Sequence, residues 1–210
     1  NSLESIGFQV KYVTDEISSF VMKNLTNCEV IEFPITNHDA SKKFSQKIID
    51  TFQPSILISI ERCGFTSKKR YKNMAGLDIS ENNAKIDYLF ENKIPSIGIG
   101  DGGNEIGMGN LIEFIPNVAS LPNSPAVTKV SKLILASVSN WGGYGLVAAL
   151  SKYAEKDLLP STNEFENIIR AMVDDGSVDG TSGENKYYID GFSLAENVEM
   201  LERIRDWIHR

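Results

Sequence analysis

Histidine is nearly absent from this chain: only His38 and His209 occur in 210 residues. Both lie away from the acidic and glycine-rich stretches described below, so a histidine-based catalytic triad is not expected. No G-x-S-x-G elbow supplies a nucleophilic serine either. Cysteine is as scarce. Cys28 and Cys63 form no C-x-x-C pair, and the reduced thiols of a cytoplasmic protein are expected. Cys28 falls in an apolar run and reads as core, whereas Cys63 reads as a bystander beside candidate site residues. An excess of positive charge is also missing, since 21 basic residues face 28 acidic ones for a net charge of −7. Nucleic acid is therefore not an expected partner. The one basic cluster, Lys68-Lys69-Arg70 with Lys72, is expected to be a solvated loop. No apolar run reaches the ~18 residues that span a membrane, and no signal peptide is visible. Neither repeats nor linkers interrupt the chain, so residues 1–210 are expected to form a single domain.

What is present is an alternation of strand-like and helix-like segments. Strands are expected at 8–14, 29–33, 55–60, 94–99, 132–138 and 186–189. Helices are expected at 15–25, at 39–52 with Asp39 as cap, after Ser80 with Ile86, Leu89 and Phe90 inward, and at 144–154, 164–173 and 193–208. This order implies an α/β fold: a mostly parallel, doubly wound, Rossmann-like sheet with helices on both faces. Ligands of such sheets sit beyond the carboxyl ends of the strands. Glu61 and Arg62 follow one strand, Asp101, Asn104 and Glu105 another, and Ser139, Asn140 and Trp141 a third. These three groups are expected to converge on one sheet edge.

The second group belongs to GIGDGGNEIGMGN, residues 98–110, with six glycines in thirteen positions. A backbone that bare suits a phosphate cradle, a metal site or a tight turn. Gly98, Gly100 and Gly103 fit G-x-G-x-x-G, but Asp101 would repel a pyrophosphate and no acidic residue stands ~20 positions on for a ribose. No G-K-[ST] follows. A nucleotide cofactor is therefore not expected. Asp101 and Glu105, four apart, would share one side of a helix's first turn, with Glu61 approaching from the neighbouring strand. Carboxylate and amide oxygens suit a Mg or Mn cofactor rather than zinc. The plainer reading has Asp101 or Asn104 capping that helix and Glu105 favouring its positive end. A second acidic stretch, DDGSVDGT at 174–181, lacks calcium-loop spacing and reads as a turn that could close the same site. These residues are also compatible with a Mg/Mn-dependent, phosphatase-like hydrolase of a small anionic substrate, or with a non-catalytic ligand-binding domain.

Five motifs, in order, resemble the carboxy-terminal domain of the D-glutamate cyclase family. They are Glu61-Arg62-Cys63-Gly64, the block YKNMAGLDIS at 71–80, the glycine block at 97–110, SNWGGY at 139–144, and Asp179-Gly180-Thr181 followed by Ile189-Asp190-Gly191. The likeness spans roughly Tyr12 to Gly191. The strand and T-D-G-P-x-G-A loop that open the family are absent, leaving only Val13-Thr14-Asp15-Glu16. The resemblance implies a hydro-lyase converting D-glutamate to 5-oxo-D-proline and water, in the cytoplasm or, in a eukaryote, the mitochondrial matrix. It implies an amino-acid substrate, proton transfer by Asp101 or Glu105, and a carboxyl polarised by Arg62 or by a cation on Asp101, Glu105 and Glu61. Gly102 and Gly103 N–H groups would hold the oxyanion at a helix start. Asn73, Asp78 and Asn140 would bind the amine and α-carboxylate, with Asn104, Trp141, Asp179 and Gly180 completing the site.

Overall fold

In the computed structural model, which describes residues 2–210, strands and helices alternate. β1 (Lys11–Asp15) leads to α1 (Ser19–Leu25), β2 (Glu29–Phe33), α2 (His38–Phe52), β3 (Leu57–Ile60), β4 (Ser96–Gly100) and β5 (Lys132–Leu135). Then come α3 (Ser139–Ala154), α4 (Thr162–Asp174), β6 (Tyr188–Ile189), β7 (Phe192–Ser193) and α5 (Leu194–Ile208). The fold is α/β and Rossmann-like. Its backbone groups into two compact units: residues 13–19 with 31–142, and residues up to Tyr12 with 20–30 and 143–210.

In the first unit β3, β4 and β5 form a parallel sheet with β4 in the middle. Its register aligns Ile60 with Ile99 and Ile99 with Ile134. Burial of β4 is what its uninterrupted apolar run requires. Phe33, Ile48, Ala84, Ile86, Leu89, Ile106 and Val130 form the core beside it. α2 starts one residue after Asn37, whose Oδ1 accepts the Ala40 N–H. Asn37, not Asp39, is therefore the cap, and Asp39 lies in the first turn, where the helix dipole favours its charge. The helix stops at Gln53, left-handed at φ 44°, just before Pro54.

Two expected helices do not form here. Residues 80–90 make two short 3-10 turns, Ser80–Asn82 and Ile86–Leu89, separated by extended Asn83. Consecutive asparagines compete with the helical backbone, and Asp87 is drawn wholly inside. Ile86 and Leu89 are buried as expected, and Phe90 half-buried. After the glycine block there is likewise no α-helix, only a 3-10 turn at Met108–Leu111. Gly103 and Gly107, at φ +92° and +108°, occupy conformations no helix uses.

The second unit packs α3, α4 and α5 around Ala148, Leu159, Phe165, Ile169, Val173 and Leu201. Ser161–Glu164 and Ser193–Glu196 are reciprocal capping boxes that start α4 and α5. β6 and β7 form a short antiparallel hairpin. Among the described residues no helix is long and apolar enough to cross a membrane.

Candidate functional site

Because β3, β4 and β5 run parallel, the segments that leave them emerge along one edge. Glu61 continues the ladder by donating its N–H to the Ile99 carbonyl at 2.9 Å. It then turns the chain through a left-handed φ of 51°. That conformation is costly for a side-chain-bearing residue. Past β4, Asp101 Oδ2 accepts both the N–H (2.8 Å) and the hydroxyl (3.2 Å) of Ser139. Ser139 is the first residue of α3, so Asp101 stands at the positive end of a 16-residue helix. Asn140 and Trp141, expected in a loop, lie half-buried in the first turn of α3. The structure thus brings Glu61, Asp101 and the start of α3 to one edge.

Glu105 does something else. It is 2% exposed, and its Oε1 accepts the N–H groups of Asp101 (3.1 Å) and Gly102 (2.7 Å). Burial pushes this carboxyl above its ordinary range. The Gly102 and Asp101 N–H bonds oppose that push, and the adjacent Asp101 carboxylate adds to it. Glu105 Oε2 and Asn104 Oδ1 are sealed from solvent without a partner. Glu105 is therefore a clamp that shapes the turn from inside, and of the three carboxylates expected at a cation it is the least suited to one. The Gly102 N–H, expected on an oxyanion at a helix start, is taken by Glu105, and no helix starts there. The glycines serve largely to let the loop fold back on its own strand. A Cβ on Gly98 would lie 2.7 Å from the Ile106 carbonyl oxygen, and one on Gly109 would collide with the Val127 carbonyl.

Several other expected site residues also face the protein itself. Arg62, expected to polarise a substrate carboxyl, forms a two-pronged ion pair with Asp15 and donates to the Ala84 carbonyl at 2.9 Å. Asn73 Oδ1 accepts the Leu77 N–H at 2.9 Å, closing a turn. Asp78 accepts from the Ser80 N–H and from Arg70. Bonds from Ser80 and then Arg70 hold its carboxyl down at about 2. The basic cluster is accordingly pinned: Arg70 pairs with Asp78 and Lys69 lies 3.5 Å from the Phe65 ring centre. Asn104 Nδ2 reaches the Lys72 carbonyl at 3.3 Å. Burial pushes the Cys63 thiol up to about 11, so it stays protonated, donating to the Lys72 carbonyl.

Sequence reasoning missed Asp87. This fully buried carboxylate accepts from Phe65 N–H (3.0 Å), Tyr71 hydroxyl (2.6 Å) and Thr128 hydroxyl (2.5 Å). It joins three segments that support the glycine loop. Nothing local in the sequence marks it, because its donors lie 16 to 41 residues away.

Asp179 and Gly180 belong to the second unit. Asp179 is buried, with Oδ2 accepting the Ser182 N–H and hydroxyl and Oδ1 the Gly191 N–H. Burial works to raise this carboxyl, but the Ser182 and Gly191 bonds outweigh it and hold it at about 2. Its stabilising contribution is therefore complete above about pH 4, the unfolded value, and is lost as pH falls towards 2. Replacing Asp179 with Asn should lower the melting temperature at pH 7. The gap from the parent should close as pH drops from about 4 to about 2, as melting curves at each pH will show. Gly180 is exposed, and a Cβ there would meet Asp190 at 3.0 Å.

A carboxylate braced by a helix start thus stands at the carboxyl edge of a parallel sheet in a Rossmann-like α/β protein. The chain belongs to the family described as D-glutamate cyclase-like, C-terminal, whose model matches residues 1–205. It is 29% identical over 228 residues to the mitochondrial D-glutamate cyclase of Homo sapiens. That alignment covers 93% of this chain but 37% of the human protein, so the chain spans little more than a third of that relative's length.

Proposed function

We propose that this chain converts D-glutamate to 5-oxo-D-proline and water, with Asp101 as the proton-transfer residue. The observation that carries the assignment of role is the setting of Asp101. It is half-exposed beyond β4, and Ser139 at the start of α3 fixes one of its oxygens. Membership of the cyclase-like family supports the choice of reaction.

The chemistry asks little beyond positioning and proton movement. The substrate enters with an ammonium group and a γ-carboxylate. The nitrogen loses a proton and attacks the γ-carbon, forming the C–N bond. It then loses a second proton as the C–O bond breaks. The departing oxygen takes both protons and leaves as water, so no net acid or base is consumed. One carboxylate that accepts from nitrogen and donates to oxygen can serve both transfers. Holding the folded conformer supplies much of the acceleration, because attack is intramolecular. Glu105 Oε2 is sealed from solvent, so Glu105 acts by holding Asp101 and Gly102 in place. With the Gly102 N–H occupied, the oxyanion role falls to Gly103. Asn140 and Trp141, in the first turn of α3, are the nearest groups in sequence to grip the α-carboxylate.

The test is turnover of D-glutamate and L-glutamate, with 5-oxoproline measured directly, after EDTA treatment and after addition of Mg²⁺ or Mn²⁺. Product from the D-isomer is expected. Activity that EDTA abolishes and Mn²⁺ or Mg²⁺ restores would add a cation to the site. No 5-oxoproline under any metal condition would end the cyclase reading. Both cysteines are free thiols, which suits a reducing compartment such as the cytoplasm or mitochondrial matrix.

A further inference from the structure

Resting on that reading, we infer that the 71–80 hairpin is a wall of the substrate site and that Met74 sets the length of dicarboxylic amino acid admitted. The hairpin is attached to the glycine loop at its base. Asn104 Nδ2 and Cys63 Sγ both donate to the Lys72 carbonyl. Its tip is internally braced by the bonds between Asn73 and Leu77 and by the Arg70–Asp78 pair. A bridge between Lys72 and Asp78 keeps it a hairpin, a second between Phe65 and Tyr71 ties its first residue to the preceding segment, and Tyr71 is anchored on Asp87 beneath. All of this polar rigging leaves two large apolar side chains at the tip, Met74 and Leu77, with the small Ala75 between them.

Met74 is the one aimed at the loop. A Cβ on Gly102 would collide with Met74 Sδ, with the terminal methyl at 3.0 Å. Residue 102 is thus bare because the thioether occupies the space a side chain would take. Met74 is nevertheless 48% exposed, so it faces both the backbone beside Asp101 and open space. A side chain there borders any substrate whose nitrogen reaches Asp101. An unbranched thioether gives such a border a shape that a small change in volume alters.

The experiment compares kcat/KM for D-glutamate with that for D-2-aminoadipate, which carries one more methylene and would close a six-membered lactam by the same loss of water. The parent chain is expected to prefer D-glutamate. Met74→Ala should move the ratio towards the longer substrate by about tenfold or more, the usual worth of one methylene in a fitted site. Met74→Leu, which refills the space, should bring the ratio back towards the parent. Leu77→Ala, on the same tip but 65% exposed, should leave the ratio where it was. An unchanged ratio in Met74→Ala, or an equal shift in Leu77→Ala, overturns the inference. If the parent forms product from neither amino acid, the cyclase reading falls by itself. The role of Met74 is then judged by the same ratio taken from binding constants by thermal shift, with the same two outcomes.

Discussion

Replacing Asp101 with Asn should reduce kcat for D-glutamate by about 10²- to 10⁴-fold, the usual worth of a positioned acid–base group. The fold should survive. Asparagine keeps an acceptor oxygen for the Ser139 N–H and hydroxyl, so the start of α3 remains braced. What it cannot do is take the ammonium proton and return it to the departing oxygen. KM should change little by comparison, because the loss falls on the transition state. Product chromatography gives the rate, and melting curves verify the fold. A variant that retains parental kcat would remove Asp101 from the proton transfer, whatever the family resemblance. Glu105→Gln offers a contrast. The amide oxygen can still accept the Asp101 and Gly102 N–H groups, so a much smaller loss is expected from a residue that only holds the loop.

Asp15→Ala should be the most destabilising of these changes, by about 3–5 kcal/mol. Asp15 and Arg62 side chains are only 10% and 19% exposed. Asp15 accepts two guanidinium bonds and the Ala84 N–H, while Arg62 also reaches the Ala84 carbonyl. Removing the carboxylate leaves a largely buried cation without its counter-charge and the Ala84 N–H without its acceptor, and that desolvation is what the truncation costs. Urea denaturation measures it as a lower midpoint with an unchanged slope. The same pair separates two roles for Arg62. A guanidinium that polarised substrate would, on replacement by Lys, lose kcat at near-parental stability. A tie between β1 and the 84 region instead loses stability, since lysine cannot reproduce the two-pronged geometry.

β2 lies where it is expected, at 29–33, and β3, β4 and β5 begin or end within a few residues of expectation. Among them β4, buried along most of its length, is the most legible, because burial on both faces demands continuous apolar sequence, and that demand is local. Their parallel order then brought the segments after them to one edge, as the bond from Ser139 to Asp101 records. The roles of the polar residues were less legible. Arg62, Asn73, Asp78, Glu105 and Asp179 are concentrated in motifs as an active site would concentrate them. Yet each closes a turn, an ion pair or a cluster of N–H groups within the protein. Sequence shows which residue types gather, but the N–H group that Glu105 or Asp179 accepts depends on a backbone path set by positive-φ glycines such as Gly103 and Gly191. The missing helix at 80–90 has the same cause on a larger scale. Asp87 is drawn inward by Phe65, Tyr71 and Thr128, distant partners that overrule local periodicity.

The most direct test of the account is a crystal structure with 5-oxo-D-proline bound. The account predicts the lactam at the carboxyl edge of β4, with its ring N–H donating to the Asp101 carboxylate within about 3.2 Å and its ring against Met74. A ligand seated elsewhere, with Asp101 and the glycine loop untouched, would contradict it.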